Sequence, residues 1–302
     1  MQRSADASLI PCCPAQISPM SVATSLFALH VSVVLFGFAG LFGKWVALSA
    51  VAIVVGRTLI AAATLAVVAT LIRETRGRPS LALIVNGGIL ALHWVAFFAA
   101  IKVSTVAMGL LGYASFPLFV LLLEFLQRGR RWHGADAITA LAVTLGLALL
   151  VPVDSWDSGA ALGLAWGVLS GLSFALLAVR NRGLRKTHSA IELGLWQNAC
   201  AALWLLPVLA WQGVGGTLSA ESLRLLLVLG VLCTALAHTL FIASLAQLTA
   251  HTASVVAALE PVYGIALAVL LLDEIPDWHT IAGAVLIVGA SIYASRHTSL
   301  KE

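Results

Sequence analysis

The chain has 302 residues, of which 61% are hydrophobic and only 10% charged, and its mean hydropathy is +1.02. That balance excludes an ordinary soluble domain and defines an all-α polytopic membrane protein, because a single crossing needs about 20 apolar residues in a row. A β-barrel is excluded as well, since the apolar runs are continuous and do not alternate. Ten runs qualify as spans, at about 22–43, 49–72, 80–101, 104–127, 135–152, 159–179, 189–211, 221–246, 249–272 and 279–295.

Residues 1 to 19 are rich in Pro and Ser and hold no apolar core of their own, so they read as a short tail and not a cleaved signal. Cys12 and Cys13 lie in that tail, Cys200 and Cys233 in spans, and the four form neither a metal pattern nor a disulfide framework. The first span carries Gly37, Gly40 and Gly43 and ends at Lys44-Trp45, a snorkelling base beside an interfacial aromatic. The second holds Arg57 about eight residues from its outer end; it is either an anchor for backbone carbonyls or a cavity charge. Gln197 of the seventh span is its approximate counterpart.

The third span contains His93-Trp94 and Phe97-Phe98. His93 and Phe97 share a face at i and i+4, and with Trp94 they offer a wall for ring stacking. The bland alternative is a core histidine satisfied by a neighbour. In the fourth span Pro117 is expected to free the carbonyl of Tyr113 and bend the helix. The sixth shows Gly159, Gly163, Gly167 and Gly171 at steps of four, a stripe that lets two helices approach closely, with Trp166 and Phe174 as weaker cavity candidates. Of Trp196, Trp204 and Trp211 in the seventh, Trp211 belongs to the outer aromatic belt.

The ninth span is the most informative. Glu260-Pro261 places a carboxylate and a helix-breaker at mid-membrane depth, where Pro261 is expected to free the carbonyl of Ala257. Glu260 can stay neutral by burial, pair with a cation, take part in proton exchange, or simply hydrogen-bond a neighbouring helix.

If the N-terminus is cytoplasmic, thirteen of the seventeen Lys and Arg residues fall on the cytoplasmic side. The other side holds Lys44, Lys102 and Arg224 with the acidic Asp154, Asp157, Glu221, Asp273, Glu274 and Asp277. The positive-inside rule therefore places both termini in the cytoplasm, and it accounts for the net charge of +4 without a nucleic-acid partner.

The chain also repeats. His93 to Pro117 and His238 to Pro261 both open on a histidine in one span and close on a proline inside the next, and Trp132-His133 precedes the fifth span as Trp278-His279 precedes the tenth. A unit of five crossings enters the membrane from opposite sides in its two copies, which yields ten transmembrane helices as a 5+5 inverted repeat. The expected division is a tail at 1–20, a first repeat at 21–152, a second at 153–297 and a tail at 298–302. Transporters of this build bind substrate near the midplane between the halves.

With these residues laid out, the chain resembles the EamA branch of the drug/metabolite transporter superfamily over about residues 22 to 295. The resemblance is strongest in LEPVYGIALAVLLLDEIPDWHTIAGAVLIVGA, with Glu260-Pro261, Glu274, Gly283 and Gly289, and the first copy adds Gly37, Lys44, Arg57 and ASFPLFVLLLE at Ala114 to Glu124. QRGRRWHGAD departs from the family, many members of which carry a Gly-Glu pair after the fourth span. The resemblance implies a bacterial inner-membrane exporter of amino acids and related metabolites, aromatic amino acids included, with helices around the pseudo-axis lining a central cavity and the fifth and tenth at the periphery.

On that reading His93, Trp94, Phe97, Tyr113, His238 and Glu260 are the substrate-binding candidates, with Pro117 and Pro261 as hinges and protons as a candidate coupling ion. No cofactor and no metal are implied. Export of drugs or other cationic solutes is the alternative within the class. Outside it stand a solute channel, for which no filter-like segment exists, and a membrane-embedded lipid enzyme, for which His133 with Asp136 and Asp277 with His279 supply no further nucleophile or ligand.

Overall fold

A computed structural model describes residues 20–74, 77–128, 134–149, 159–257 and 259–298. Thirteen α-helices and one π-helical segment are described, with no strand among these residues: α1 (Val22–Trp45), α2 (Ala50–Leu71), α3 (Leu81–Val103), α4 (Val106–Tyr113), α5 (Phe116–Arg128), α6 (Gly134–Leu149), α7 (Gly159–Leu184), α8 (Ala190–Gln212), α9 (Ala220–Gly230), the π segment (Val231–Leu236), α10 (Ala237–Ser244), α11 (Ala250–Ala257), α12 (Glu260–Leu272) and α13 (Trp278–Thr298). Seven helical stretches are long and apolar enough to cross a membrane, and Glu260–Leu272 and Trp278–Ala290 are shorter apolar helices. Cys12, Cys13, Trp132, His133, Asp154 and Asp157 lie outside the described residues.

Helix starts follow from the sequence. Ser21, Ser49, Ser80, Thr105, Ser189, Ser219 and Thr249 each accept a hydrogen bond from the backbone N–H three residues on, which satisfies one of the donors a helix leaves open at its first turn. Asp277 caps α13 by accepting from the Thr280 N–H at 2.8 Å. The bonds from Thr280 hold its carboxyl below the usual carboxylate range, so this cap is present above the ordinary carboxylate pKa and lost as pH falls through the depressed value.

The two central prolines do something other than kink a continuous helix. Pro117 and Pro261 each stand at the second residue of a new helix, after turns at Ala114-Ser115 and at Leu259. A first-turn proline has no N–H to lose, so the chain stops one helix and starts another instead of bending one with an open turn inside it. The predicted fourth and ninth spans are thus each two helices. Their bounds match: α11 follows α4, and α12 follows α5, at the same step of 144 residues.

Packing is carried by small residues, as expected where lipid supplies no hydrophobic drive between helices. The glycine stripe of α7 lies against α3, α4 and the start of α5: a Cβ on Gly167 would stand 2.9 Å from the Cα of Gly112, and one on Gly171 would stand 2.8 Å from the Tyr113 carbonyl. On the other side of the bundle a Cβ on Gly37 of α1 would meet the Gly264 nitrogen at 3.0 Å and the Glu260 carbonyl at 3.1 Å. Contacts are reciprocal: α1 packs on α10 and α12 while α7 packs on α3, α4 and α5; α2 packs on α9 while α3 packs on α8; α2 packs on α8, and α6 on α13.

Both ends of the bundle are tied by polar contacts. At one end Lys44 Nζ donates to the Ser104 carbonyl at 2.6 Å and lies 3.9 Å from Glu274, whose other oxygen accepts from the Val106 N–H at 2.9 Å. At the other, Ser189 donates to Glu74, and His188 meets Glu192 at 3.1 Å. Lys44 and Glu274, read from the sequence on the same side, thus meet at one end. Trp211 is 87% exposed, as a belt residue would be.

Gly167→Leu is expected to destabilise the protein by about 1–3 kcal/mol, because the new side chain has no room against Gly112. Thermal unfolding of the detergent-purified variant checks this; an unchanged midpoint would show that α7 and α4 do not rely on the close approach.

Candidate functional site

The helix breaks bring a carboxylate and a cluster of rings together in the middle of the bundle. His93, Trp94, Phe97, Tyr113 and Glu260 line one internal chamber, joined there by Phe36 of α1 and Phe174 of α7. All seven side chains are buried, and the space between them is too narrow for a water-sized void. The chamber is closed.

His93 sits in the interior face of α3. Its Nδ1 is 2.9 Å from Ser170 Oγ and 3.0 Å from the Ser170 carbonyl on α7, so the histidine is held by a neighbour as well as facing the chamber. Its ring lies 4.5 Å from Trp94, 4.8 Å from Phe174 and 5.6 Å from Tyr113, centroid to centroid. Tyr113 stacks on Phe116 at 5.3 Å, where α4 gives way to α5. Separations of 4.5 to 7 Å in edge and offset geometry are those aromatic pairs prefer. Tyr113 and Glu260, one from each side of the two helix breaks, meet in the chamber lining, within electrostatic reach of each other.

Arg57 is fully buried. Its Nε donates to Thr234 Oγ1 at 2.8 Å and its Nη2 to the Cys233 carbonyl at 3.1 Å, while its guanidinium carbon lies 3.6 Å from the centroid of Trp94. Thr234 Oγ1 in turn donates to the Leu229 carbonyl at 2.7 Å. The π segment explains this partnership: widening the turn loosens the ordinary i−4 ladder and leaves carbonyls for other donors. Gln197, its sequence counterpart, is likewise a buried interhelical link, exchanging hydrogen bonds with Asn181 of α7 at 2.6 and 3.3 Å.

His238 is buried on α10 but does not line the chamber; it lies within electrostatic reach of Arg57 and His93. Both of its ring nitrogens lack a hydrogen-bond partner, as do Arg57 Nη1, Trp94 Nε1 and Glu260 Oε2. Leaving such a group unpaired costs about 1–3 kcal/mol, more for a charge, so these five atoms, two of them in the chamber wall and three beside it, call for an explanation.

Sequence reasoning ranked Phe174 low and missed Phe36. Phe36 precedes Gly37, the residue whose lack of a side chain brings α1 against Glu260, and that juxtaposition was the available signal. Trp166 does not line the chamber. Among the described residues no group of three His, Cys, Asp or Glu side chains is placed to hold a metal.

Membrane-length helices around a closed aromatic chamber with a buried carboxylate define a multi-pass membrane transporter. The sequence profile of the EamA-like transporter family matches residues 161–296. The pseudopaline exporter CntI of Pseudomonas aeruginosa is 32% identical over 219 residues, covering 71% of this chain and 74% of that protein. The uncharacterized transporter YxxF of Bacillus subtilis is 24% identical over 90% of this chain and 89% of its own length, and an uncharacterized transporter of Archaeoglobus fulgidus is 30% identical over 61% and 65%. One crystal structure of another protein superposes with a TM-score of 0.71 over 92% of this chain and 99% of its own at 16% identity, which speaks to the fold alone. The chain belongs to the EamA-like transporter family, within the drug/metabolite transporter superfamily.

Thr234→Val keeps the shape of the side chain but removes both the acceptor for Arg57 and the donor to Leu229. It is expected to cost about 1–3 kcal/mol, seen as a lower thermal midpoint; a midpoint at or above that of the parent would mean that the Arg57 anchor is not needed.

Proposed function

We propose that the chain is a secondary-active carrier that exports small metabolites, amino acids and aromatic amino acids among them, by alternating access around the chamber. The observation that carries this reading is the chamber itself, built where two broken helices meet and lined by His93, Trp94, Phe97 and Tyr113 before residue 152 and by Glu260 after it. The reciprocal packing and the shared step of 144 residues support a ten-helix 5+5 inverted repeat, with halves at 21–152 and 153–297. His93, Trp94, Phe97, Tyr113 and Glu260 contact the substrate, and His238 borders it.

Pro117 and Pro261 stand in the first turns of the helices next to the chamber, so the turns before them are where each half bends. The end held by Lys44, Ser104 and Glu274 and the end held by Glu74 and Ser189 then open in turn. The positive-inside rule places the second of these ends, and both termini, in the cytoplasm of a bacterial inner membrane. Enzymatic chemistry plays no part. A second reading, export of pseudopaline, is favoured by the 32% identity to CntI.

Purified protein in liposomes loaded with unlabelled phenylalanine is expected to show saturable uptake of labelled phenylalanine, threonine or methionine. His93→Ala and Trp94→Ala should reduce it at least tenfold at unchanged protein content; saturable flux indifferent to both would move the site elsewhere. Glu260 is assigned as the proton-exchanging group, so Glu260→Gln should abolish stimulation by a pH gradient. Retained stimulation in that variant removes the assignment.

A further inference from the structure

The five unpartnered atoms around the chamber sort by chemistry and by position. Arg57 Nη1 and Trp94 Nε1 are donors and nothing else, and the two side chains are stacked on each other, with the guanidinium 3.6 Å from the ring centroid. His238, within electrostatic reach of Arg57, adds an imidazole with both nitrogens open. Glu260 lies on α12 with Oε2 open, beside Tyr113 in the chamber lining. Arg57 and His238 thus bring open donors up to Trp94, Glu260 shares the chamber lining with Trp94, and the rings of His93, Phe97 and Phe174 pack around them.

A purely cationic solute would satisfy Glu260 and leave Arg57 and Trp94 open. A purely anionic one would do the reverse. A molecule with a carboxylate at one end and an ammonium at the other satisfies both groups at once, and a hydrophobic side chain on it would meet the rings. We propose that Trp94 in the chamber wall, with Arg57 stacked on it and His238 behind, forms a carboxylate subsite at the chamber's edge, that Glu260 Oε2 takes the ammonium, and that the substrates are therefore zwitterions. Arg57 then has two tasks: Nε and Nη2 fasten it to the π segment, and Nη1 is kept for the ligand. Its fixed fork suits the planar, two-oxygen geometry of a carboxylate.

This assignment rests on the carrier reading and is tested so that the two fail separately. Counterflow of labelled phenylalanine is measured in liposomes with three competitors: phenylalanine, phenethylamine, which lacks the carboxylate, and 3-phenylpropionate, which lacks the ammonium. Both analogues are expected to need at least ten times the concentration of phenylalanine for half inhibition. Trp94→Phe, which keeps a ring under Arg57 but loses the N–H, should weaken phenylalanine and 3-phenylpropionate several-fold and leave phenethylamine unchanged.

Glu260→Gln should give the mirror result, weakening phenylalanine and phenethylamine only. Arg57→Lys, if monodisperse after purification, should exceed Trp94→Phe in the same direction; if it does not fold, the other two variants decide the matter. Saturable counterflow in which all three competitors act within twofold of one another overturns the zwitterion subsite and leaves the carrier standing. No counterflow of phenylalanine, threonine or methionine overturns the amino-acid carrier reading and the subsite with it.

Discussion

A broken helix inside a hydrocarbon slab must be covered by protein, because no water is there to take its open N–H and carbonyl groups. This chain breaks two helices near their middles, before Phe116 and before Glu260, and the rest of the bundle is arranged to cover them. Ala114 and Ser115 are fully buried, Ser115 Oγ donates to the Gly112 carbonyl at 2.7 Å, and the Tyr113 carbonyl faces Gly171. At the second break the backbone of Glu260 lies against Gly37. Glycine is what permits this cover: any side chain at Gly37 or Gly171 would hold the covering helix away from the backbone it shields.

The same close approach creates the chamber. Once α1 and α7 are drawn onto the breaks, Phe36 and Phe174 are carried inward and meet Trp94 and His93 from α3. Edge-to-face rings then pack the middle of the bundle, with Phe36 6.3 Å from Phe174 and Phe174 5.0 Å from Phe241. Rings that meet at their edges fill space densely yet turn about few bonds, so such a chamber opens by moving helices and not by rearranging side chains. Rigid movement of one group of helices against another is also what alternating access requires.

Buried polarity is concentrated at a few links between helices. Arg57 ties α2 to the π segment, Asn86 donates to Asn181 at 3.0 Å between α3 and α7, and Gln197 joins α8 to the same asparagine. In a lipid solvent such links position helices without the desolvation that water would exact, although each is worth only about 1 kcal/mol. In the chamber wall, Trp94 Nε1 and Glu260 Oε2 have no protein partner.

By itself the sequence determined the solvent, the helices and their caps. Apolar runs of about 20 residues admit no other element in a bilayer, and Ser, Thr or Asp caps eight of the thirteen described helices because a first turn needs an acceptor. The α7 glycine stripe and the presence of Trp94, Tyr113 and Glu260 in the chamber lining were legible for the same reason, since spacing along a helix fixes which residues share a face. Only the tertiary structure decided that the prolines begin helices instead of kinking them, that Arg57 is anchored by a π turn, and that Phe36 completes the chamber. Those outcomes depend on which helix lies across the gap, a matter of packing between segments as much as about 220 residues apart, and no local pattern encodes it.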